Sequence, residues 1–208
     1  MFLGIYDYTV VLTYISLGIS VFGITRALEG NFRIAILCLA LSGLCDMFDG
    51  KIARTKKNRT DDEKSFGIQI DSLCDVVCFG IFPVMICYCL GVKTPAGVAA
   101  LIFYSIASVI RLAYFNVLEE LKHTNPETDQ AKGYRGLPIT TITIIYPIVY
   151  LFHPLVSHET FLLFLAIMHI VVAFLYVLDF KLKKPGNSVI AAMMVLVTAV
   201  MVCILFVE

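Results

Sequence analysis

The sequence predicts an all-α integral membrane bundle, and three observations predict it. Of the 208 residues 59% are apolar and 15% charged, with a mean hydropathy of +0.87, whereas soluble domains carry about 25% charged residues. Apolar runs of membrane-crossing length, roughly 17 to 25 residues, recur at 9–28, 32–53, 66–91, 95–118, 137–153, 159–178 and 188–207. Lys and Arg gather in the connections after the second, fourth and sixth runs, while the opposite connections hold only Arg26, Arg33 and Lys93. The positive-inside rule then puts the basic connections and the N-terminus in the cytoplasm.

Taken in order, the first run follows MFLGIYDY, which has no basic residue, and no small-residue cleavage site comes after it, so it is expected to be retained rather than removed. The second ends on CDMFDGKIAR, residues 45–54, and the polar stretch 54–66 links it to the third as a short hairpin. That link forces the cytoplasmic ends of runs two and three side by side. The fourth carries Arg111 within its apolar length, and the fifth opens at Gly136, Leu137 and Pro138, where proline is well tolerated in a first helical turn. The sixth and seventh are plain apolar runs, and an odd count leaves Glu208 outside.

No repeat, low-complexity tract or soluble domain interrupts the chain, so residues 1–208 are expected to form a single membrane domain. The seven cysteines lie in apolar segments with no C-x-x-C pair and no His at ligand spacing, which reads as small buried hydrophobes. Formal net charge is zero, and no nucleic-acid partner is expected.

Against this apolar background four acids stand out. Asp46 and Asp49 are spaced i, i+3 on the second run, and Gly50, Ala53 and Arg54 extend the same face; Gly67, Asp71 and Asp75 repeat at i, i+4, i+8 on the third. One carboxylate inside hydrocarbon costs about 2.5–3.5 kcal/mol, and four at similar depth also repel one another. Lys51 and Arg54 are too few to pair them. A bound divalent cation resolves the conflict, and an all-oxygen donor set favours Mg²⁺, Mn²⁺ or Ca²⁺. Four carboxylates on two helices suit a pair of metals about 3.5–4 Å apart, the arrangement used in phosphoryl-type displacement. Asp61, Asp62 and Glu63 fit the plainer role of helix-end acids.

Written out, the stretch is D-x-x-D-G-x-x-A-R, twelve residues, then G-x-x-x-D-x-x-x-D. It resembles the signature of the CDP-alcohol phosphotransferase family at all eight fixed positions: Asp46, Asp49, Gly50, Ala53, Arg54, Gly67, Asp71 and Asp75. The resemblance implies a six-helix membrane core, here with a seventh C-terminal transmembrane helix, two divalent cations at the cytoplasmic side, and usually a homodimer. It also implies metal ligation by Asp46, Asp49, Asp71 and Asp75, a CDP site at Asp49, Gly50, Ala53, Arg54 and Gly67, and Asp75 as general base. The residue types make sense: Gly50 and Ala53 let a nucleotide approach the helix backbone, and Arg54 suits bidentate grip of phosphate.

DSLCDVVCFG at 71–80, RLAYFN at 111–116 and GLP at 136–138 are similar to the phosphatidylserine synthase branch, in which CDP-diacylglycerol meets L-serine, and a prokaryotic cell membrane is the expected location. Tyr114 departs from the basic residue expected there, and TVVLTYISL lacks the Pro-Asn that often opens the first helix. Serine needs a cation for its carboxylate, which intramembrane Arg111 could supply, with Asn116, Lys132 and Arg135 as further serine or phosphate contacts. The long connection 119–136 is expected to form a flap over the site. The rival readings are the same chemistry on glycerol 3-phosphate, inositol phosphate or an archaeal ether-lipid donor, and a divalent-cation transporter, which leaves Gly50, Ala53, Arg54 and Gly67 unexplained.

Overall fold

The structure, a computed structural model, describes residues 4–53, 55–56, 58–124, 134–182 and 187–206. After a 3-10 turn at Tyr8–Val10 the described residues form eight α-helices: α1 Val11–Leu28, α2 Phe32–Ala53, α3 Asp61–Asp75, α4 Phe82–Leu90, α5 Pro95–Thr124, α6 Ile142–Tyr150, α7 His158–Val177 and α8 Asn187–Phe206. A π-helical turn at Val76–Ile81 joins α3 to α4 in one rod, and 3-10 turns extend α6 into a broken rod over Ile139–Leu155. Each of the seven expected spans is therefore met by a helical rod. Outward-facing Ile15 and Phe22 on α1, Ile102, Ile106 and Ile110 on α5, and Phe164, Ile167 and Val171 on α7 are exposed at helical spacing. Such surfaces suit acyl chains, and the chain is an integral membrane protein.

The boundaries differ from expectation where capping outweighs hydropathy. α3 starts at Asp61, ahead of 66, because Thr60 and Glu63 form a reciprocal capping box: Glu63 N donates to Thr60 Oγ1 at 3.2 Å and Thr60 N to Glu63 Oε2 at 3.0 Å. The helix-end role foreseen for Asp61 and Glu63 holds, Asp61 also pairing with Lys64 at 2.9 Å. The α2–α3 link thereby shrinks to residues 54–60. α4 stops at Gly91, whose φ of +129° is open to glycine, with Val92 N donating back to Cys87 O at 3.2 Å.

The π turn has a local cause. Pro83 has no N–H to give the carbonyl of Phe79 four residues back, and Tyr104 Oη of α5 donates to that carbonyl instead, at 2.7 Å. Inside the bundle α1 packs along α2 and α5 along α7, around a core that includes Ile36, Phe79, Phe82, Tyr104, Tyr146 and Phe161. Gly43 lets α2 meet α6 closely, since a Cβ there would strike the side chain of Thr143. Two short strands, β1 Tyr134–Arg135 and β2 Lys181–Leu182, pair antiparallel and tie the approach to the broken rod to the segment after α7. All seven cysteines are free thiols.

Candidate active site

Across the short α2–α3 link the two helices share α1 as packing partner rather than lying tightly on one another, and their acids nevertheless converge. Carboxylate oxygens of Asp46, Asp49 and Asp71 all lie within 4.8 Å of one another. Asp75 sits one turn deeper on α3, and it and Asp49 are each 8% exposed. All four acids line one cavity of about 140 Å³, closed by Arg111, Leu112 and Phe115 of α5 and by Pro138, Ile139 and Thr140. This is smaller than the roughly 300–1,000 Å³ of drug-sized ligand pockets. It has room for a reacting headgroup, not for a whole lipid.

The wall opposite the acids is held in place by polar bonds to three elements. Arg111, 5% exposed, donates from Nε to Leu137 O at 2.9 Å. Tyr176 of α7 donates from Oη to Ile139 O at 2.8 Å. Gly136, at φ +68°, turns the chain so that its N–H reaches Phe180 O at 2.9 Å. Gly136, Leu137 and Pro138 thus do mark the entry to a helical rod, and they also build the site.

The other expected residues distribute unevenly. Gly50 and Ala53 continue α2 beyond the acids, and Gly67 precedes Asp71 by one turn, so these three lie between the cavity and the link. Asn116 braces α5 against α3, accepting from Ser72 Oγ at 2.6 Å and donating to Gln69 Oε1 at 3.5 Å, and it is not part of the cavity wall. Arg54, Lys132 and residues 125–133 of the supposed flap lie outside the described residues, and Arg135 is described only as a backbone position in β1. Lys51 is not part of the cavity lining and stands over the Phe48 ring, 5.2 Å from its centroid.

Two residues not singled out by sequence contribute. Thr13 of α1 donates to Asp49 Oδ2 at 3.2 Å. Arg59 of the link lays its guanidinium against Gly67, where a Cβ would come within 2.5 Å of Nη2.

The donor set fits a hard divalent cation. Three carboxylates converge from two helices with hard oxygen ligands, and Lys51, one of the two cations close in sequence, stands over the Phe48 ring and not in the cavity lining. Converging acids of this kind opposite a buried arginine suit displacement at phosphorus, where negative charge accumulates.

Comparison with known proteins bears directly on this site. Residues 9–178 match the family model described as CDP-alcohol phosphatidyltransferase. The chain belongs to that family. The matched span runs from α1 through α7, so the family core takes in six rods and α8 lies beyond it.

Among individual proteins similar to this family member, the CDP-diacylglycerol–serine O-phosphatidyltransferase of Saccharomyces cerevisiae is 35% identical over 112 residues, 53% of this chain and 39% of that protein. The enzyme of the same name from Bacillus subtilis is 33% identical over 111 residues, 52% of this chain and 55% of that protein. The archaetidylserine synthase of Methanothermobacter thermautotrophicus is 31% identical over 131 residues, 62% of this chain and 51% of that protein. The chain thus spans between about two fifths and somewhat over half the length of these relatives.

Proposed function

We propose that this chain transfers a phosphatidyl group from CDP-diacylglycerol to the hydroxyl of L-serine, giving phosphatidylserine and CMP. The observation that carries the reading is one cavity in which the four signature acids of α2 and α3 face buried Arg111 of α5. Family membership and relatives named for phosphatidylserine and archaetidylserine synthesis support it.

In this reading Asp75 takes the proton from the serine Oγ, which attacks the lipid-side phosphorus of the diphosphate. The bond from that phosphorus to the bridging oxygen breaks, and CMP departs with the oxygen. Two divalent cations, Mg²⁺ or Mn²⁺ with Ca²⁺ possible, would be held by Asp46, Asp49, Asp71 and Asp75 and would neutralise charge on the attacking and leaving oxygens. Arg111, whose Nε is fixed on Leu137 O, presents a guanidinium suited to the serine carboxylate or to phosphate. Gly50, Ala53, Arg54 and Gly67 form the approach for CMP, with Lys132 and Arg135 as candidate phosphate contacts. Asn116, bonded to Ser72, acts on serine only through α3.

In the same reading the site and the N-terminus face the cytoplasmic side of a prokaryotic cell membrane, an orientation that the basic connections support, and residues 1–208 act as one membrane domain, paired as a homodimer. The test is CMP release by purified protein in detergent with Mn²⁺ or Mg²⁺, comparing L-serine, glycerol 3-phosphate and inositol phosphate, and ester with ether CDP-lipid. Release with L-serine alone, in step with phosphatidylserine, is expected. Release only with a phosphorylated acceptor overturns the serine assignment, and metal flux without nucleotide dependence would make the chain a transporter.

A further inference from the structure

Arg59 is the residue of the α2–α3 link whose placement has no structural return in proportion to its cost. It directly precedes Thr60, the capping residue of α3, so the capping box fixes its backbone. Its half-buried side chain runs along the first turns of α3, where Nη2 donates to Glu63 O at 3.0 Å. The guanidinium then comes to rest over Gly67. Its Nε is buried with no hydrogen-bond partner, and among the described residues no carboxylate pairs with it, although Asp7, Lys56 and Glu63 form an ion-pair cluster beside it. A buried donor left unmade is unfavourable, and an arginine held without a counter-charge is a waiting anion contact.

The place it covers decides which anion. Gly67 stands one helical turn before Asp71 on the same face of α3, between the acid cavity and the cytoplasmic link. A diphosphate whose reacting phosphorus sits at the acids must lead its nucleotide end along this face. A Cβ at Gly67 would strike the Arg59 guanidinium, so its absence leaves room over which a guanidinium, or a nucleotide, can lie.

We propose that Arg59 is a binding residue for the phosphate of the nucleotide donor, resting on Gly67 when the donor is absent and turning its guanidinium onto the phosphate oxygens when it binds. The assignment rests on the phosphatidyltransferase reading above and adds a cation that its signature does not contain. The same guanidinium could take an anionic lipid headgroup at the membrane surface, and soluble probes separate the two.

The experiment measures binding of CDP and of cytidine to the full chain in uncharged detergent with Mn²⁺, for wild type, Arg59→Ala and Arg59→Lys, beside the KM for L-serine. Arg59→Ala is expected to weaken CDP at least tenfold, to leave cytidine and the serine KM unchanged, and to lose no thermal stability; Arg59→Lys should recover part of the CDP affinity. Wild-type CDP affinity in Arg59→Ala overturns the proposal and assigns the guanidinium to packing or to lipid. Equal losses for CDP and cytidine overturn it too, since they report a distorted link. A wild-type chain that binds no CDP removes the donor reading itself along with this residue.

Discussion

The Thr13 hydroxyl of α1 donates to Asp49 Oδ2 of α2 at 3.2 Å, a buried bond between residues 36 apart in sequence. A helix with no signature acid thus orients one of the four. A hydrogen bond to a charged group contributes about 1.5–3 kcal/mol net, and the length here argues for the lower end. Thr13→Val should lower kcat/KM about tenfold and raise the Mn²⁺ concentration needed for half activity, with Thr13→Ser restoring both. An unchanged Mn²⁺ dependence in Thr13→Val would show that the bond does not aim the acid.

Asp75 is 8% exposed and one turn deeper than Asp71, at the floor of the cavity. Asn at this position keeps the shape and removes the ability to take a proton. General-base catalysis contributes about 10²- to 10⁴-fold, so Asp75→Asn should lose at least a hundredfold in kcat while eluting and melting as the wild type does. CMP release at near wild-type rate would move the base elsewhere.

The spans and the acid quartet were legible because each rests on a local period: hydropathy over a bilayer length, and i, i+3 or i, i+4 spacing on one helix. Contacts across helices were harder to see. Thr9, Thr13, Ser16 and Ser20 do form a buried polar stripe along the start of the chain, but small polar residues in a membrane helix read first as packing, and nothing local names Asp49 as the partner. Asn116 lies off the cavity wall for a geometric reason. Five residues past Arg111 rotate a side chain about 140° around the helix axis, which carries it to Ser72, whereas Leu112 and Phe115 stay at the cavity. The early start of α3 was present as T-x-x-E at residues 60–63, a pattern that an apolar window ignores. The π turn has its local cause in Pro83, but the donor that meets the freed Phe79 carbonyl, Tyr104, lies 25 residues away, and no local pattern names it.

The link that carries Arg59 is clipped to the N-terminal segment. Lys56 Nζ donates to Asp7 Oδ2 at 2.6 Å and to Glu63 Oε1 at 2.9 Å. The hydrogen bond from Lys56 holds the Asp7 carboxyl below its usual value, and Asp7 and then Glu63 hold the Lys56 ammonium above its own. The depressed acid contributes above about pH 4 and is lost as pH falls through its folded value. The raised ammonium contributes fully below about pH 10 and is lost as pH rises through its folded value. Neither end titrates between pH 6 and 9. Asp7→Asn should therefore reduce donor kcat/KM no more than about fivefold, since the pair is only part-buried and near the surface, without moving any limb of the pH–rate profile in that window. A displaced limb would show that the clip titrates with the reaction.

Tyr176 tests the wall that faces the acids. It is 2% exposed, and its single hydroxyl proton goes to Ile139 O at 2.8 Å. Tyr104 directs its own proton to Phe79 O, so the 3.4 Å approach of the two hydroxyls has no proton to share and Tyr176 is the partner of Ile139 O. Tyr176→Phe keeps the ring and removes one of the two donors to that buried carbonyl, leaving the Ile142 N–H, a loss of about 0.5–1.5 kcal/mol felt at Pro138, Ile139 and Thr140. In the proposed reading those residues bound the space for the acceptor, and the nucleotide approaches along Gly50 and Gly67. The KM for L-serine should rise about tenfold with the KM for CDP-diacylglycerol unmoved, together with a lower melting temperature. A general loosening of the bundle would raise both KM values together, and that result would reduce Tyr176 to a packing residue.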